Sequence, residues 1–450
     1  MQSKVIFREL IFPVAMMAGF GTFFWGIRGT GGYGGSMGGL FAGTGWAVLW
    51  YFLSNNDGKA GRSSFARPIA SRWAFLALAA GIMVGGFHGY GQFISWIKGS
   101  WMIQSGTPVD VDPAWGFLGL LQCGLSWGGT AGAVLGWAIP GTGDSRAAKL
   151  AWMRRAILGS IGAGIGLITF LAFPGLLLPL YGSVYYANLA TCAQCARAVE
   201  TAASSAIQFG MFGGFFAAEI VNKNWRGLAT SIIMAAGFGT GFVISSGWFF
   251  MSLPSSWKAW EMSIGAIGGA SIGVAHFATN RPVSKQEQGL APGVFAVTER
   301  MFQPPTERSI VFGHNLPLVL GVSLALYNGM KPEDGFAGNF FAGDVGATTM
   351  VMGITYAMVT AMWGFFILSV IFLYKAEYRG KRWFGQPLVQ AIVIQGILVA
   401  IGFMTTIVPD VPLPESVVFV AGTYVVGLVI GGSALAGVAI IDGPVKTTAC

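Results

Sequence analysis

Long apolar runs separated by short polar breaks set the pattern of this chain. About 20 apolar residues in a helix cross roughly 30 Å of hydrocarbon. Runs near that length recur at 10–27, 35–54, 73–93, 114–139, 156–178, 203–222, 227–250, 260–279, 311–329, 346–373, 388–407 and 416–440. The pattern predicts an all-α polytopic membrane protein with about twelve transmembrane helices.

One run occurs twice. Met16-Met17-Ala18-Gly19-Phe20-Gly21-Thr22-Phe23-Phe24 reappears as Met234-Ala235-Ala236-Gly237-Phe238-Gly239-Thr240-Gly241-Phe242. Downstream, Gly38-Gly39 with Gly43 matches Gly268-Gly269 with Gly273 at the same spacing. Leu76, Leu78, Gly81, Phe87, His88 and Gly89 of the third run align with Leu316, Leu318, Gly321, Tyr327, Asn328 and Gly329 of the ninth. The expected organisation is therefore two parallel six-helix repeats, residues 1–222 and 227–440. A cytoplasmic loop at 280–310 and a tail at 441–450 complete it. Several helices should be broken by glycine, notably around Gly26–Gly35 and Gly335–Gly343. Parallel six-span halves also describe the major facilitator superfamily. In this chain the long polar stretch follows span eight, not span six, so that family is not assigned.

Composition agrees with the pattern. Only 10% of residues are charged, against 54% hydrophobic, and a water-facing surface needs more charge than that. If both termini are cytoplasmic, Arg28, Lys98, Arg197, Lys258 and Lys331 fall outside and the other 21 of 26 basic residues fall inside. The 18 acids divide evenly by the same map. This is the positive-inside bias expected in a bacterial cytoplasmic (inner) membrane. The net charge of +8 thus reflects topology and lipid headgroups, with no need for nucleic acid as partner.

Candidate chemistry is sparse. Arg28 stands beside Gly29, Gly31, Gly32 and Tyr33, where a guanidinium among glycine amides would receive a carboxylate, phosphate or sulfate. His88, inside the third run, can change charge near neutral pH, and Asn328 is its repeat counterpart. Glu219 and Asp344 join His88 as proton-coupling candidates, although an ion pair with Lys223 or Arg226 would also explain Glu219. Asp110 and Asp112 offer a weak acidic pair in an outer loop. Trp96, Trp101, Trp115, Trp248, Trp257 and Trp260 fall where an interfacial belt is expected. Cys192 and Cys195 lie in an external loop and are expected to pair as a local disulfide.

The resulting expectation is a secondary transporter, proton- or ion-coupled, of a small polar or anionic solute. No cofactor, metal or catalytic residue is expected, and membrane lipids and the solute are the partners, with a second copy or another membrane subunit admitted. Two alternatives stand beside it: a membrane-embedded enzyme acting on a lipid-linked substrate at the outer face, and a structural subunit of a membrane complex.

Overall fold

The computed structural model describes residues 6–28, 35–55, 65–69, 72–87, 89–104, 107–138, 145–190, 192–251 and 256–284. Runs nine to twelve, the 441–450 tail and most of the 280–310 loop lie outside these residues. The described part is a helical bundle. A π-helical turn at Phe7–Ile11 leads into α1 (Phe12–Arg28), followed by α2 (Gly35–Asn55), the two-residue strand β1 (Phe65–Ala66), α3 (Arg72–Gly85) and α4 (Gly91–Ile97). A β-hairpin, β2 (Ser100–Gln104) and β3 (Thr107–Asp110), precedes α5 (Pro113–Gly136) and α6 (Ser145–Ala172). Then come α7 (Ala193–Val221), α8 (Trp225–Ser245), α9 (Ser256–Thr279) and β4 (Val283–Ser284), which pairs antiparallel with β1.

Five stretches among the described residues are long and apolar enough to cross a bilayer: Glu9–Gly26, Lys149–Ala172, Ala193–Val221, Trp225–Phe250 and Ala259–Thr279. The chain is accordingly an integral membrane protein. The structure differs from the sequence expectation in three places. The third run is not one helix but two, α3 ending at Gly85 and α4 starting at Gly91. The fifth helix starts eleven residues before 156, at Ser145, and stops at Ala172, because Pro174 removes a backbone donor and opens a 3-10 turn. The β2–β3 hairpin and the β1–β4 pair add small strands to an otherwise helical bundle.

Glycine sets the helix contacts. Without a hydrophobic force between helices in lipid, close packing of small residues holds them together. Gly124, Gly128, Gly132 and Gly136 recur every fourth residue on α5, and a Cβ at each would run into the backbone of Phe238, Met234, Ser231 or Gly227 on α8. Gly162 and Gly166 of α6 meet the carbonyls of Gly210 and Ala206 on α7 in the same way, and Gly269 and Gly273 of α9 meet Met17 and Val14 of α1. Gly39 and Gly43 bring α2 onto α3 at Ile82 and Ala79.

Capping is local and legible. Asp112 accepts the Ala114 amide at 2.9 Å with Pro113 at the first helical position of α5, and Asn224 accepts the Gly227 amide at 3.1 Å to start α8.

The two copies of the repeated segment both enter the core. Met16, Phe20 and Phe24 are buried on α1, as are Met234, Phe238 and Phe242 on α8. They meet through Trp25, whose ring centroid is 5.4 Å from Phe238 and 6.1 Å from Phe242. Trp46 and Trp127 complete this aromatic centre, and Trp127 donates to the Ile82 carbonyl at 2.8 Å. The expectation of an outer tryptophan belt needs correction. Trp96, Trp101 and Trp260 are fully buried, whereas Trp257 is 41% exposed. Trp96 of α4 and Trp101 of β2 pack on each other, with ring centroids 5.8 Å apart.

Candidate functional site

The opposite ends of the bundle differ. One carries the β2–β3 hairpin; the other carries Arg67, Arg154, Arg155, Lys223, Arg226 and Arg281 and is here called the basic end. The interruption of the third run lies between them. Gly85, the last residue of α3, packs against the ring of Trp127, and Phe93 of α4 packs against Gly119, both on α5. Helix α5 has 24 residues and so spans about 36 Å, which places the break roughly 9–21 Å from its hairpin end. The last turn of α3 tightens, with Gly86 and Phe87 amides donating to Met83 and Val84 carbonyls at 3.0 and 3.2 Å.

One side of the break is closed and the other open. Tyr90 is buried against Trp260, Phe242 and Trp127, with centroids 5.3, 5.9 and 6.3 Å away. Phe87, in contrast, is 63% exposed. Helix α7 runs past the open side. Its Thr201 hydroxyl lies 3.2 Å from where a Cβ at Gly89 would stand, and an Arg197 guanidinium nitrogen lies 3.5 Å from the corresponding point at Gly91. Gln92 donates to Gln194 at 2.9 Å and holds the start of α4 to the start of α7. Arg197 is exposed and makes no ion pair with another described residue; the nearest acid in sequence, Glu200, is likewise exposed.

Arg197 heads a polar face. At 100° per residue Arg197, Thr201, Ser205 and Gln208 fall within an arc of about 80° on α7. Thr201, Ser205 and Gln208 are all buried, and Ser205 Oγ and Gln208 Nε2 have no hydrogen-bond partner. Polar side chains of this kind inside a membrane helix are costly and mark functional faces. Sequence reading passed over this face, although its i, i+4, i+8, i+11 spacing was visible.

The same helix ends in a closed ionic site. Glu219 is fully buried and takes Arg155 of α6 on both oxygens, Nε–Oε1 at 2.6 Å and a terminal nitrogen to Oε2 at 3.0 Å. Asn224 also donates to Oε2, and to the Gly136 carbonyl at 3.1 Å. The guanidinium lies over Trp137 and Trp152, 5.6 and 5.8 Å from their centroids. The partner of Glu219 is thus Arg155, 64 residues away, rather than its sequence neighbours Lys223 and Arg226.

A second buried network at the basic end joins the π-helical turn before α1, the segment after β1, α2 and the end of α9. Arg67 binds Glu9 with two hydrogen bonds of 2.9 and 3.0 Å and the Asn280 carbonyl at 3.0 Å. Asn280 accepts the Ile69 amide at 2.7 Å and donates to Ser54 at 2.8 Å, and Ser54 reaches His276 at 3.5 Å.

Of the residues singled out from sequence, Arg28 closes α1, and nothing is described of its side chain. Gly29, Gly31, Gly32, Tyr33, His88, Asn328 and Asp344 lie outside the described residues. Cys192 and Cys195 form a disulfide at the start of α7. Asp112 caps α5, and among the described residues no group of His, Cys, Asp and Glu could hold a metal. At the hairpin end Tyr186 donates to the Pro179 carbonyl at 2.9 Å, and burial pushes its hydroxyl pKa up. Compared with known protein families, curated proteins and solved structures, the chain matches none.

Proposed function

We propose that this chain is a secondary transporter, proton- or ion-coupled, of a small polar or anionic solute across a bacterial cytoplasmic membrane. In this reading both termini are cytoplasmic, the hairpin end faces outward, and two parallel six-helix halves make up the transport unit. The observation that carries it is the interruption of the third apolar run between α3 and α4, set against Arg197 and Thr201 of α7. Interrupted helices at membrane depth, with a cation and hydroxyls nearby, are how such proteins hold solutes and coupling ions.

His88 of the third apolar run is the candidate proton carrier, with Glu219 and Asp344 as the other coupling candidates. Arg28 with Gly29, Gly31, Gly32 and Tyr33 is the second candidate anion receptor, and Asn328 is the counterpart of His88 in the other half. Lipids and the solute are its partners.

The test is uptake of labelled phosphate, sulfate and small carboxylates by the purified chain in vesicles, with and without a pH gradient. The expected result is gradient-stimulated uptake of at least one anion, lost in Arg197→Gln and uncoupled from protons in His88→Ala. Uptake that is unchanged in both variants and in Arg28→Ala overturns the site assignment. Absence of any flux, with metal-dependent turnover of a lipid-linked substrate abolished by Asp110→Asn, moves the reading to a membrane enzyme.

A further inference from the structure

Helices α5, α6 and α7 enclose a cavity of about 490 Å3, within the usual range for a small-molecule site. It runs from Leu125, Phe209 and Gly210 inside the bundle out to the hairpin end through Trp115, Leu118, Leu176 and Leu177. The mouth is apolar and open: Leu118 is 62% exposed and Leu176 64%. No Asp, Glu, Lys, Arg or His stands among the described residues that line the cavity, from floor to mouth. An ion entering it would lose hydration with no counter-charge to meet it, so the cavity selects uncharged molecules. Ile165 and Phe209 of the wall belong to the membrane-crossing stretches of α6 and α7 and are exposed, so such a molecule arrives from the lipid.

One polar group in this apolar wall has nothing to bind. Ser205 lines the cavity, is 1% exposed, and its hydroxyl has no hydrogen-bond partner. The groups beside it are already committed. The Gln122 amide nitrogen donates to the Ser205 carbonyl at 3.2 Å, and the Ser204 hydroxyl donates to the Thr201 carbonyl, one turn back, at 3.1 Å. Ser205 stands about 18 Å along α7 from its start, so a polar group that meets it must be carried in on an apolar body. An unmade hydrogen bond on a buried hydroxyl is a standing cost, which a ligand hydroxyl or carbonyl removes.

We propose that this cavity is a binding site for an uncharged, lipid-dissolved molecule. An apolar body, alkyl or isoprenoid, fills the space between α5, α6 and α7, and one hydroxyl or carbonyl on it hydrogen-bonds to Ser205 Oγ. The site is separate from the break: Arg197 and Thr201 turn to that break on another side of α7 and take no part in the cavity. Binding here does not depend on the transporter reading. Phe93 of α4 forms part of the wall, so the occupant also bears on the helix that follows the break.

The test uses the full chain in phosphatidylcholine nanodiscs with dodecanol carrying a diazirine, followed by photolysis and peptide mapping, and with dodecanol, dodecane and dodecanoate as competitors. Label is expected to concentrate on Leu118, Ile165 and Phe209 over Ile232 and Ile244 of α8, which are also exposed. Dodecanol is expected to displace it at concentrations where dodecane and dodecanoate do not. Ser205→Ala is expected to weaken dodecanol about three- to tenfold, the loss of one neutral hydrogen bond, and to leave dodecane unchanged. Leu118→Trp, at an exposed position, narrows the mouth and is expected to lower cavity labelling several-fold with the thermal midpoint unchanged. Equal labelling of cavity and α8 residues, insensitive to both variants, means annular lipid only and overturns the inference. Absence of label from the cavity residues, with α8 labelled, overturns it as well. Dodecane as effective as dodecanol, or dodecanol unaffected by Ser205→Ala, removes the hydrogen bond on which the proposal stands. Dodecanoate more effective than dodecanol refutes the uncharged class. Selective labelling from protein that moves no solute in vesicles upholds this site and removes only the transporter reading.

Discussion

Replacing Glu219 by Gln is the sharpest perturbation the structure offers. The carboxylate is fully buried, and Arg155, 6% exposed, depends on it for both of its short contacts, at 2.6 and 3.0 Å. The amide keeps the shape but presents two donors where Arg155 and Asn224 bring donors of their own, and leaves the guanidinium without a counter-charge. Breaking one partner of a buried pair costs about 3–5 kcal/mol, because the surviving charge stays desolvated. Each 1.4 kcal/mol is tenfold in the equilibrium, so the folded-to-unfolded ratio should fall by roughly two to three and a half decades. The stacked rings of Trp137 and Trp152 soften this for the cation but not for Asn224. The assay is reversible unfolding by dodecyl sulfate in mixed micelles, followed by circular dichroism. The apolar double variant Arg155→Met/Glu219→Leu removes both charges together and is expected to lose less than either single variant. Glu219→Gln within about 1 kcal/mol of wild type, or a double variant whose loss equals the sum of the singles, would refute the argument that this pair locks α6 to α7. If Glu219 also carries the transported proton, the folded fraction of Glu219→Gln keeps solute exchange and loses gradient-driven uptake.

The remaining predictions concern packing, the second ionic network and pH. Gly128→Leu drives a side chain into the Met234 carbonyl and should cost 1–3 kcal/mol or more, whereas Gly164→Leu and Gly213→Leu, which meet nothing within 4 Å, should leave folded yield unchanged. Comparable yields of all three would show that α5 and α8 are not held by close backbone contact. Arg67→Met leaves Glu9 and the Asn280 carbonyl without their donor and should destabilise by about 1–3 kcal/mol in the same unfolding assay. Recovery by adding Glu9→Gln distinguishes a lost pair from lost packing. Tyr186 has its pKa raised by burial from an ordinary value near 10, so the unfolded chain releases this proton first as pH rises. Its contribution is fully present below about pH 10 and is lost above it. Thermal midpoints should therefore fall more steeply between pH 9.5 and 11, about the unfolded pKa, in wild type than in Tyr186→Phe, and parallel slopes would refute this.

Composition and the spacing of apolar runs were enough to read a membrane-spanning helical protein, and seven of the eight runs that fall among the described residues coincide with single long helices. That part is legible because it depends on the chain's own length and periodicity: about 20 apolar residues must be helical in lipid, whatever surrounds them. The Asp112–Pro113 start of α5 and the Cys192–Cys195 bridge are equally local. The four-residue glycine spacing on α5 announced a close helix contact but not its partner.

Everything that depends on which helix lies beside which was decided by packing. The third run has the hydropathy of a continuous span, yet it breaks between Gly85 and Gly91, where Tyr90 is drawn into the aromatic centre and Phe93 is seated on Gly119. Glu219 looks from sequence like an acid at a helix end near Lys223 and Arg226. Only the approach of α6 through Gly159, Gly162 and Gly166 brings Arg155 onto it. Trp96, Trp101 and Trp260, expected at a lipid interface, are buried inside the protein. Arg197 becomes a candidate anchor only because α7 carries it past the gap in the third run. Hydrophobic periodicity is a property of one segment at a time, so it determines that a helix spans. Neighbours, ion pairs and the point where a helix gives way arise from contacts between segments, and these exist only once the bundle has closed.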